Sequence, residues 1–171
     1  MTRSDIEKVA AIIQDAGGSI IGRTKLQKIS FILEAAGLGE GFSFEYYHYG
    51  PFSEELAAAA KDAATLGILE EKEQPTSWGG FYSRYEVKTG ASDTSDSVRS
   101  KIAQEGARAN SIELELAATA LFLAKEGDPD PWGETARRKP EKAEGGRLER
   151  AQEFYKKLLR FNTPEPLPRI A

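Results

Sequence analysis

With 171 residues, the chain is long enough to form one domain with its own hydrophobic core, without disulfides to stabilise it. It contains no cysteine and a single histidine, which excludes disulfides, thiolate metal sites, cysteine nucleophiles and any site that requires two imidazoles. The formal net charge of −4 argues against a protein that binds nucleic acid over its whole surface, because such binding depends on an excess of basic residues.

Two helices are predicted near the start of the chain by the spacing of their capping residues. Ser4 and Glu7 have the spacing of a capping box, and apolar residues recur on one helical face after them. Thr24 and Gln27 repeat this spacing and predict a second helix, which Gly37 ends.

Three cationic residues lie near the start of the second predicted helix. These are Arg23, Lys25 and Lys28. The helix dipole makes this end favourable for anions and unfavourable for cations. We therefore interpret the three side chains either as a site for a phosphate or carboxylate group, or as solvated side chains without a ligand.

An aromatic tract follows the second helix. Residues 42–49 are rich in aromatic side chains, which predicts a short strand. Gly50 and Pro51 then lead into a third helix that Ser53 caps and Gly67 ends. The tract is either a recognition surface, since aromatic residues are enriched at interfaces, or a layer that packs under the third helix.

Two strands are predicted next, over residues 68–73 and 81–88, joined by a turn that contains Trp78. Three helices followed by a hairpin is the order of a winged helix. The predicted fold is therefore mainly α with a small β-hairpin, in the α+β class, as a winged helix-turn-helix followed by a C-terminal helical extension. Residues 1–90 form the winged-helix domain of this prediction.

The C-terminal extension is predicted to span residues 95–161 and to pack on the first domain. A weakly apolar helix is predicted from about Asp96 to Ala109, and the capping-box spacing of Asn110 and Glu113 predicts a second helix after it. Its last helix runs from about Glu144 to Phe161, and between Arg137 and Arg160 nine basic residues accompany four acidic ones, a local charge of +5. The remainder of the chain therefore carries −9. Residues 162–171 contain three prolines and are predicted to be a loose tail.

Two motifs give the chain a resemblance to a known family. Residues 22–29 read Gly-Arg-Thr-Lys-Leu-Gln-Lys-Ile, and residues 47–56 read Tyr-His-Tyr-Gly-Pro-Phe-Ser-Glu-Glu-Leu. Both motifs resemble those of the YwgA-type winged-helix proteins and, more distantly, of the Panacea (SocA-like) antitoxin domain. The resemblance implies a non-catalytic winged helix, and its Panacea branch implies an antitoxin that acts through protein contacts.

Catalysis is not expected from this inventory of residues. Glu126, Asp128 and Asp130 are close in sequence, but prolines separate them and no calcium-loop spacing is present. We interpret them as a solvated loop and predict no metal, no cofactor and no enzymatic activity. An RNA-cleaving activity centred on His48 is a remote hypothesis.

The leading functional hypothesis is an interaction module that binds a protein partner, as an antitoxin-like or adaptor protein. The predicted partner-binding residues are Arg23, Lys25, Lys28, Tyr47, His48, Tyr49 and Phe52. The alternative is a DNA-binding transcriptional regulator that uses the basic C-terminal helices and the wing, although the third helix carries carboxylates where a base-reading helix has arginine or asparagine. The residues of this alternative are Arg84, Lys88, Arg137, Arg138, Lys139, Arg147, Arg150 and Lys157.

The cellular setting is predicted from what the sequence lacks. No apolar run approaches the roughly eighteen residues of a membrane span, and the first residues do not have the apolar segment of a signal peptide. We therefore expect a cytoplasmic location and no membrane partner. The sequence is compatible with a homodimer.

Overall fold

The computed structural model of the chain describes residues 4–77, 79–87 and 97–170. These parts of the chain form eight helices and five strands, which confirms the α+β class. In chain order they are α1 (Asp5–Asp15), β1 (Ser19–Ile21), α2 (Arg23–Ala35), β2 (Glu45–Tyr47), β3 (Gly50–Phe52), α3 (Glu54–Thr65), β4 (Leu69–Pro75), β5 (Phe81–Val87), α4 (Val98–Arg108), α5 (Ser111–Lys125), α6 (Pro131–Arg138), α7 (Pro140–Ala143) and α8 (Arg147–Leu159).

Side-chain caps begin most of the predicted helices. Ser4, Ser53 and Asn110 each accept a hydrogen bond from a backbone N–H in the first turn of α1, α3 and α5. The helix α2 is present, but the capping side chain predicted for it is wrong. Its N-cap residue is Gly22, and no side chain caps it. Gln27, the supposed partner in that capping box, forms its hydrogen bonds with another element instead.

The predicted hairpin is confirmed, and it belongs to a three-stranded antiparallel sheet in the order β1-β5-β4. β4 and β5 pair along their whole length, with Leu69 opposite Val87. The sequence did not predict β1, because three residues are too few to show an alternating pattern. Ile20 of β1 is buried opposite Tyr85 of β5, so this short strand extends the buried face of the sheet.

A second, two-stranded hairpin lies between α2 and α3. The strand predicted over residues 42–49 is shorter in the structure, where β2 pairs with β3 and Tyr47 lies opposite Gly50. The residues that were expected only to lead into the third helix are therefore themselves a strand. Its tight turn, residues 48 and 49, is the most exposed part of the aromatic tract.

One hydrophobic core contains residues from both halves of the chain. α2 lies at its centre and contacts α4 and α5, and α5 also contacts α6 and α8. Buried residues such as Ile29, Leu116 and Tyr155 belong to this same core. The boundary predicted between residues 90 and 95 falls outside the described residues, and the division into two domains stays a prediction.

The C-terminal residues lie against the body of the protein, whereas the sequence predicts a loose tail. The backbone N–H of Glu165 donates to the carbonyl of Ala36 at 3.0 Å, and Leu167 is buried. The hydroxyl of Tyr155 donates to the carbonyl of Pro168. The last helix, α8, ends at Leu159, before the prolines of the tail, and the chain after it packs on α2 and α8.

Helix length and polarity bear on the membrane prediction. In residues 4–77, 79–87 and 97–170, no helix is long and apolar enough to cross a membrane.

Candidate functional site

A cleft of about 760 Å³ lies between the start of α2, the outer face of α3 and the strands β4 and β5. Four of the seven predicted partner-binding residues line it: Arg23, Lys28, Tyr49 and Phe52. The sequence therefore predicted one side of this cleft. The opposite side, formed by α3 and the sheet, was not predicted as part of a site.

The width of the cleft follows from the small side chains of α3. Ala57 and Ala58 are exposed and, with Ala60, line the cleft on this helix. A side chain that ends at Cβ fills little of the space between α3 and the neighbouring aromatic residues. Glu71 and Tyr85 close the end at the sheet, so the cleft has apolar walls with a few charged groups.

Gln27 joins α2 to the beginning of α3. Its carboxamide oxygen accepts the backbone N–H of Ser53 at 2.8 Å, and its amide nitrogen donates to the carbonyl of the same residue at 3.0 Å. Both bonds are buried, and together they reproduce the pairing that a neighbouring strand would give. Gln27 therefore fixes one side of the cleft relative to the other, whereas the sequence analysis assigned it only to a capping box.

Lys28 is the most deeply buried charged residue of the cleft, with 1% of its surface exposed. Its ammonium group donates to the carbonyl of Pro51 at 2.7 Å and so holds β3 against α2. Burial lowers the pKa of Lys28 to about 8, although the carboxylate of Glu115 opposes this shift. The side chain is not the solvated surface cation that the sequence suggested.

Two further lysines lie behind the aromatic turn, around Glu115 of α5. The ammonium groups of Lys139 and Lys142 are 3.0 Å and 2.7 Å from the same carboxylate oxygen of Glu115. Glu115 and Lys139 are buried, with 5% of each side chain exposed. We call Lys28, Lys139, Lys142 and Glu115 the lysine cluster. In this cluster the carboxylate of Glu115 contacts the ammonium groups of Lys139 and Lys142, and its charge also acts on Lys28.

The lysine cluster also holds the turn of the aromatic hairpin. Lys139 donates to the carbonyl of His48 at 3.1 Å, and the ammonium group of Lys142 lies 4.7 Å from the ring centroid of Tyr49. Tyr49 remains 59% exposed. The turn is therefore fixed from beneath by cations, while its aromatic side chain is presented to solvent beside the cleft.

The remaining predicted partner-binding residues take different positions. Tyr47 is exposed, its ring lies edge-on to Phe52 at 5.3 Å, and His48 is exposed in the turn. Arg23 is exposed and pairs with Glu71 at 2.9 Å.

Lys25 was predicted to bind a partner, but it is buried and donates to the carbonyls of residues 107 and 109 at the end of α4. The interpretation of Lys25 and Lys28 as solvated surface cations is wrong. The ammonium group of Lys25 donates to carbonyls at the end of α4, and that of Lys28 donates to the carbonyl of Pro51.

Most residues of the nucleic-acid alternative have partners within the chain. Arg137 and Arg138 both pair with Glu134, and Lys139 is buried, so it cannot belong to a basic surface. The other arginines of that prediction are also engaged: Arg84 pairs with Glu86, Arg147 donates to the carbonyls of residues 141 and 142, and Arg150 pairs with Glu113. Lys157 is exposed. Lys88 and Trp78 lie outside the described residues.

The acidic loop before α6 has a structural role. Asp130 accepts the backbone N–H of Gly133 and caps α6, while Asp128 accepts the N–H of Asp130. Within the described ranges, no three histidine, aspartate or glutamate side chains lie together in a way that could hold a metal ion.

The depressed pKa of Lys28 makes the stability of the fold depend on pH. The folded pKa of about 8 lies below the ordinary value of 10.5, so between these values the unfolded chain binds a proton that the folded chain has released. Stability therefore rises with pH in this window. We expect urea titrations to give a free energy of unfolding about 2 kcal/mol higher at pH 9.5 than at pH 7.5.

The matched control for this prediction is Lys28→Met, which fills a similar volume without a titratable group. The variant is expected to lose the rise, because no proton is released at this position. A Lys28→Met protein whose stability rises with pH as much as that of the wild type would show that another group is responsible.

Comparison with known proteins gives one informative relative. No family model matches the chain, and no solved structure matches it. The chain is 31% identical over 124 residues to the uncharacterised protein YwgA of Bacillus subtilis (strain 168). The match covers 68% of this chain and 72% of the relative. This identity and coverage show that the chain belongs to the YwgA family.

Proposed function

We propose that the chain is a non-catalytic winged-helix module that acts by binding a protein partner, as an antitoxin-like or adaptor protein. The cleft between α2, α3 and the sheet carries this proposal. Its volume of about 760 Å³ lies within the range of about 300–1,000 Å³ that is typical of binding pockets. Seven of the thirteen residues that line it are alanine, leucine or aromatic, and these side chains give contact area to a partner.

The winged-helix part of the proposal is supported by the order of the elements. α1, β1, α2 and α3 are followed by the hairpin β4-β5, and β1 pairs with β5 at the edge of the sheet. The aromatic hairpin β2-β3 is inserted between the two helices that a DNA-binding protein would use together. The resemblance of the two sequence motifs to the Panacea domain supports an antitoxin-like role, as a proposal.

The aromatic hairpin provides the exposed apolar groups that an interface needs. Tyr49 and Tyr47 are exposed, although large apolar side chains are usually buried. The hairpin backbone is held from inside, because Lys28 and Lys139 donate to the carbonyls of Pro51 and His48. A rigid aromatic group loses little conformational entropy when a partner covers it, which favours binding at this place.

The alternative of a DNA-binding regulator has weaker support. The exposed positions of α3 include Glu54 and Glu55, which would repel phosphates. The basic C-terminal residues form ion pairs with Glu113, Glu115 and Glu134, so their net field at the surface is reduced. We therefore place protein binding first.

The proposal is tested by affinity capture of the tagged chain from the organism that encodes it, with nuclease and high salt. The test compares the wild type with Ala58→Trp, which fills the cleft from an exposed helix position without disturbing the core. Lys101→Trp is the matched control, since it adds the same side chain to an exposed helix position, on α4, that does not line the cleft.

We expect one protein to be recovered in stoichiometric amount with the wild type and with Lys101→Trp, and to be lost with Ala58→Trp. Recovery of nucleic acid that is equal for all three proteins and lost at high salt would contradict the proposal. That result would favour the regulator, because phosphate contacts weaken steeply with salt.

A further inference from the structure

We infer that a second groove of the protein binds a basic segment of a protein partner, with an arginine or lysine side chain held between aromatic rings and carboxylates. The groove lies between β2 and the end of α5 and has a volume of about 520 Å³. Residues 44–46, 122–123, 126–128 and Arg138 line it, and we call it the acidic groove. It shares no lining residue with the cleft, so it is a surface additional to that of the proposed function.

Aromatic side chains form the floor of the acidic groove. Phe44, Tyr46 and Phe122 line it, and each of them is half-buried. The ring centroids of Tyr46 and Phe122 are 5.7 Å apart. The ring of Phe31, a core residue, lies 5.4 Å from that of Phe44 and 5.8 Å from that of Phe122. The floor is therefore supported from the core and remains accessible from outside.

The carboxylates of the acidic groove lack a cation of their own. Glu45 and Glu126 are exposed and Asp128 is partly exposed, so a ligand can reach all three. None of them forms an ion pair with another residue that the structure describes, and Asp128 uses one oxygen to accept the backbone N–H of Asp130. Lys125, at the end of α5, is exposed but does not line the groove. The C-terminal end of this helix adds negative potential, so the groove favours a cation.

Arg138 is the one cation among the described residues that line the groove, and its charge is already compensated. Its guanidinium group pairs with Glu134 at 2.9 Å and lies 4.9 Å from the ring centroid of Tyr46. The aromatic floor therefore already holds one guanidinium group from within the chain. Phe122 and Glu126 offer the same combination of ring and carboxylate at the other end of the groove, where the chain supplies no cation of its own among the described residues.

The lining determines which class of partner fits. An arginine or lysine side chain can lay its aliphatic stem on the rings while its charged head reaches the carboxylates. The groove is larger than one side chain, so an adjacent aromatic or aliphatic residue of the segment would cover the rest of the floor. A nucleic acid does not fit, because Glu45, Glu126 and Asp128 would repel its phosphates. An acidic segment is disfavoured for the same reason.

The test begins with selection of random dodecapeptides displayed on phage against immobilised, full-length Ala58→Trp protein. The cleft is filled in this variant, so the selected peptides must bind elsewhere. Each peptide is then located on the wild type by the chemical shifts of the backbone amides. We expect peptides that shift the amides of residues 44–46 and 122–128 to carry arginine or lysine next to an aromatic or aliphatic residue.

The affinity of one such peptide is measured by fluorescence polarisation and compared with that of the same peptide in which citrulline replaces arginine. Citrulline has nearly the same shape without the charge, and we expect it to weaken binding to the wild type by about tenfold. Glu126→Gln is expected to weaken the arginine peptide by about threefold and to leave the citrulline peptide unchanged.

Glu149→Gln is the matched control, because it removes the same charge from an exposed position outside the groove. Its neighbour Arg150 pairs with Glu113 in the first turn of α5, so Glu149 lies near the end of that helix opposite to the groove. We expect both peptides to bind Glu149→Gln protein as they bind the wild type.

Three results would overturn the basic segment. The first is a selection in which no peptide shifts the amides of the groove. The second is a set of groove peptides that are neutral or acidic, or that bind equally with citrulline. The third is a change of the same amides with protein concentration alone, which would show that a second copy of the chain occupies the groove. None of these results bears on the cleft, whose partner is tested separately with Ala58→Trp.

Discussion

Glu115→Gln is expected to lower the free energy of unfolding by about 3–5 kcal/mol, the usual cost of breaking a buried ion pair by removing one partner. Glu115 is the carboxylate of the lysine cluster, and Lys139 and Lys142 both bind it. The glutamine has the same shape, so the variant leaves no cavity. It does leave the buried ammonium group of Lys139 without a counter-ion, and this uncompensated charge is the source of the loss.

Glu113→Gln is the matched control for this prediction. Glu113 lies two residues earlier on the same helix and pairs with Arg150, whose side chain is 55% exposed. Removing an exposed ion pair costs about 0–1 kcal/mol. Chemical denaturation of both variants and of the wild type measures the two losses in the free energy of unfolding. Equal stabilities of the two would show that the lysine cluster does not depend on Glu115.

Gly50→Ala is expected to lower the free energy of unfolding by about 3 kcal/mol, from backbone strain together with overpacking. Gly50 has a backbone φ of +92°, which residues other than glycine rarely adopt. A Cβ built at this residue lies 2.6 Å from Oγ1 of Thr119 in α5. The aromatic turn would therefore have to move away from α5, and its contacts with the lysine cluster would weaken.

Gly41→Ala separates the two contributions to this loss. Gly41 has nearly the same φ, +89°, but a Cβ there meets nothing within 4 Å, so its alanine variant carries only the strain. The loss at Gly50 is also expected to be smaller in a Thr119→Ala background, where the close oxygen is absent. Equal losses at Gly50 and Gly41 in denaturation experiments would contradict the predicted contact with Thr119.

Local patterns were sufficient to predict helices α1 to α5, helix α8 and the larger hairpin, but not the short helices α6 and α7. Ser4, Ser53 and Asn110 act as caps because a capping side chain interacts only with its own first turn. The prediction was wrong where a residue had a better partner far away in sequence. Gln27 has the spacing of a capping box, but it binds both backbone groups of Ser53 instead.

The candidate site was predicted only on one side for a similar reason. The aromatic tract and the cations of α2 are visible as motifs, and Arg23, Lys28, Tyr49 and Phe52 do line the cleft. The pKa of Lys28 depends on its burial and on the charges of Glu115 and Lys139, which are more than eighty residues away in sequence. No local pattern distinguishes such a lysine from a solvated one.

The alanines of α3 illustrate the same limitation. In the sequence they indicate only a good helix former, because alanine has the highest helix propensity. In the structure their small size opens the cleft between α3 and the aromatic hairpin. The alanines contribute to the site because they leave space between α3 and the aromatic hairpin. This effect cannot be predicted before the position of the hairpin is known.

The central claim is that a protein partner binds in the cleft, and photocrosslinking from its wall tests this most directly. The photoreactive residue p-benzoylphenylalanine is placed at Ala57, inside the cleft, and separately at Lys101, an exposed position of α4. The account predicts one crosslinked protein from position 57 and none from position 101. Crosslinks from position 101 alone, or crosslinks from position 57 to nucleic acid, would contradict it.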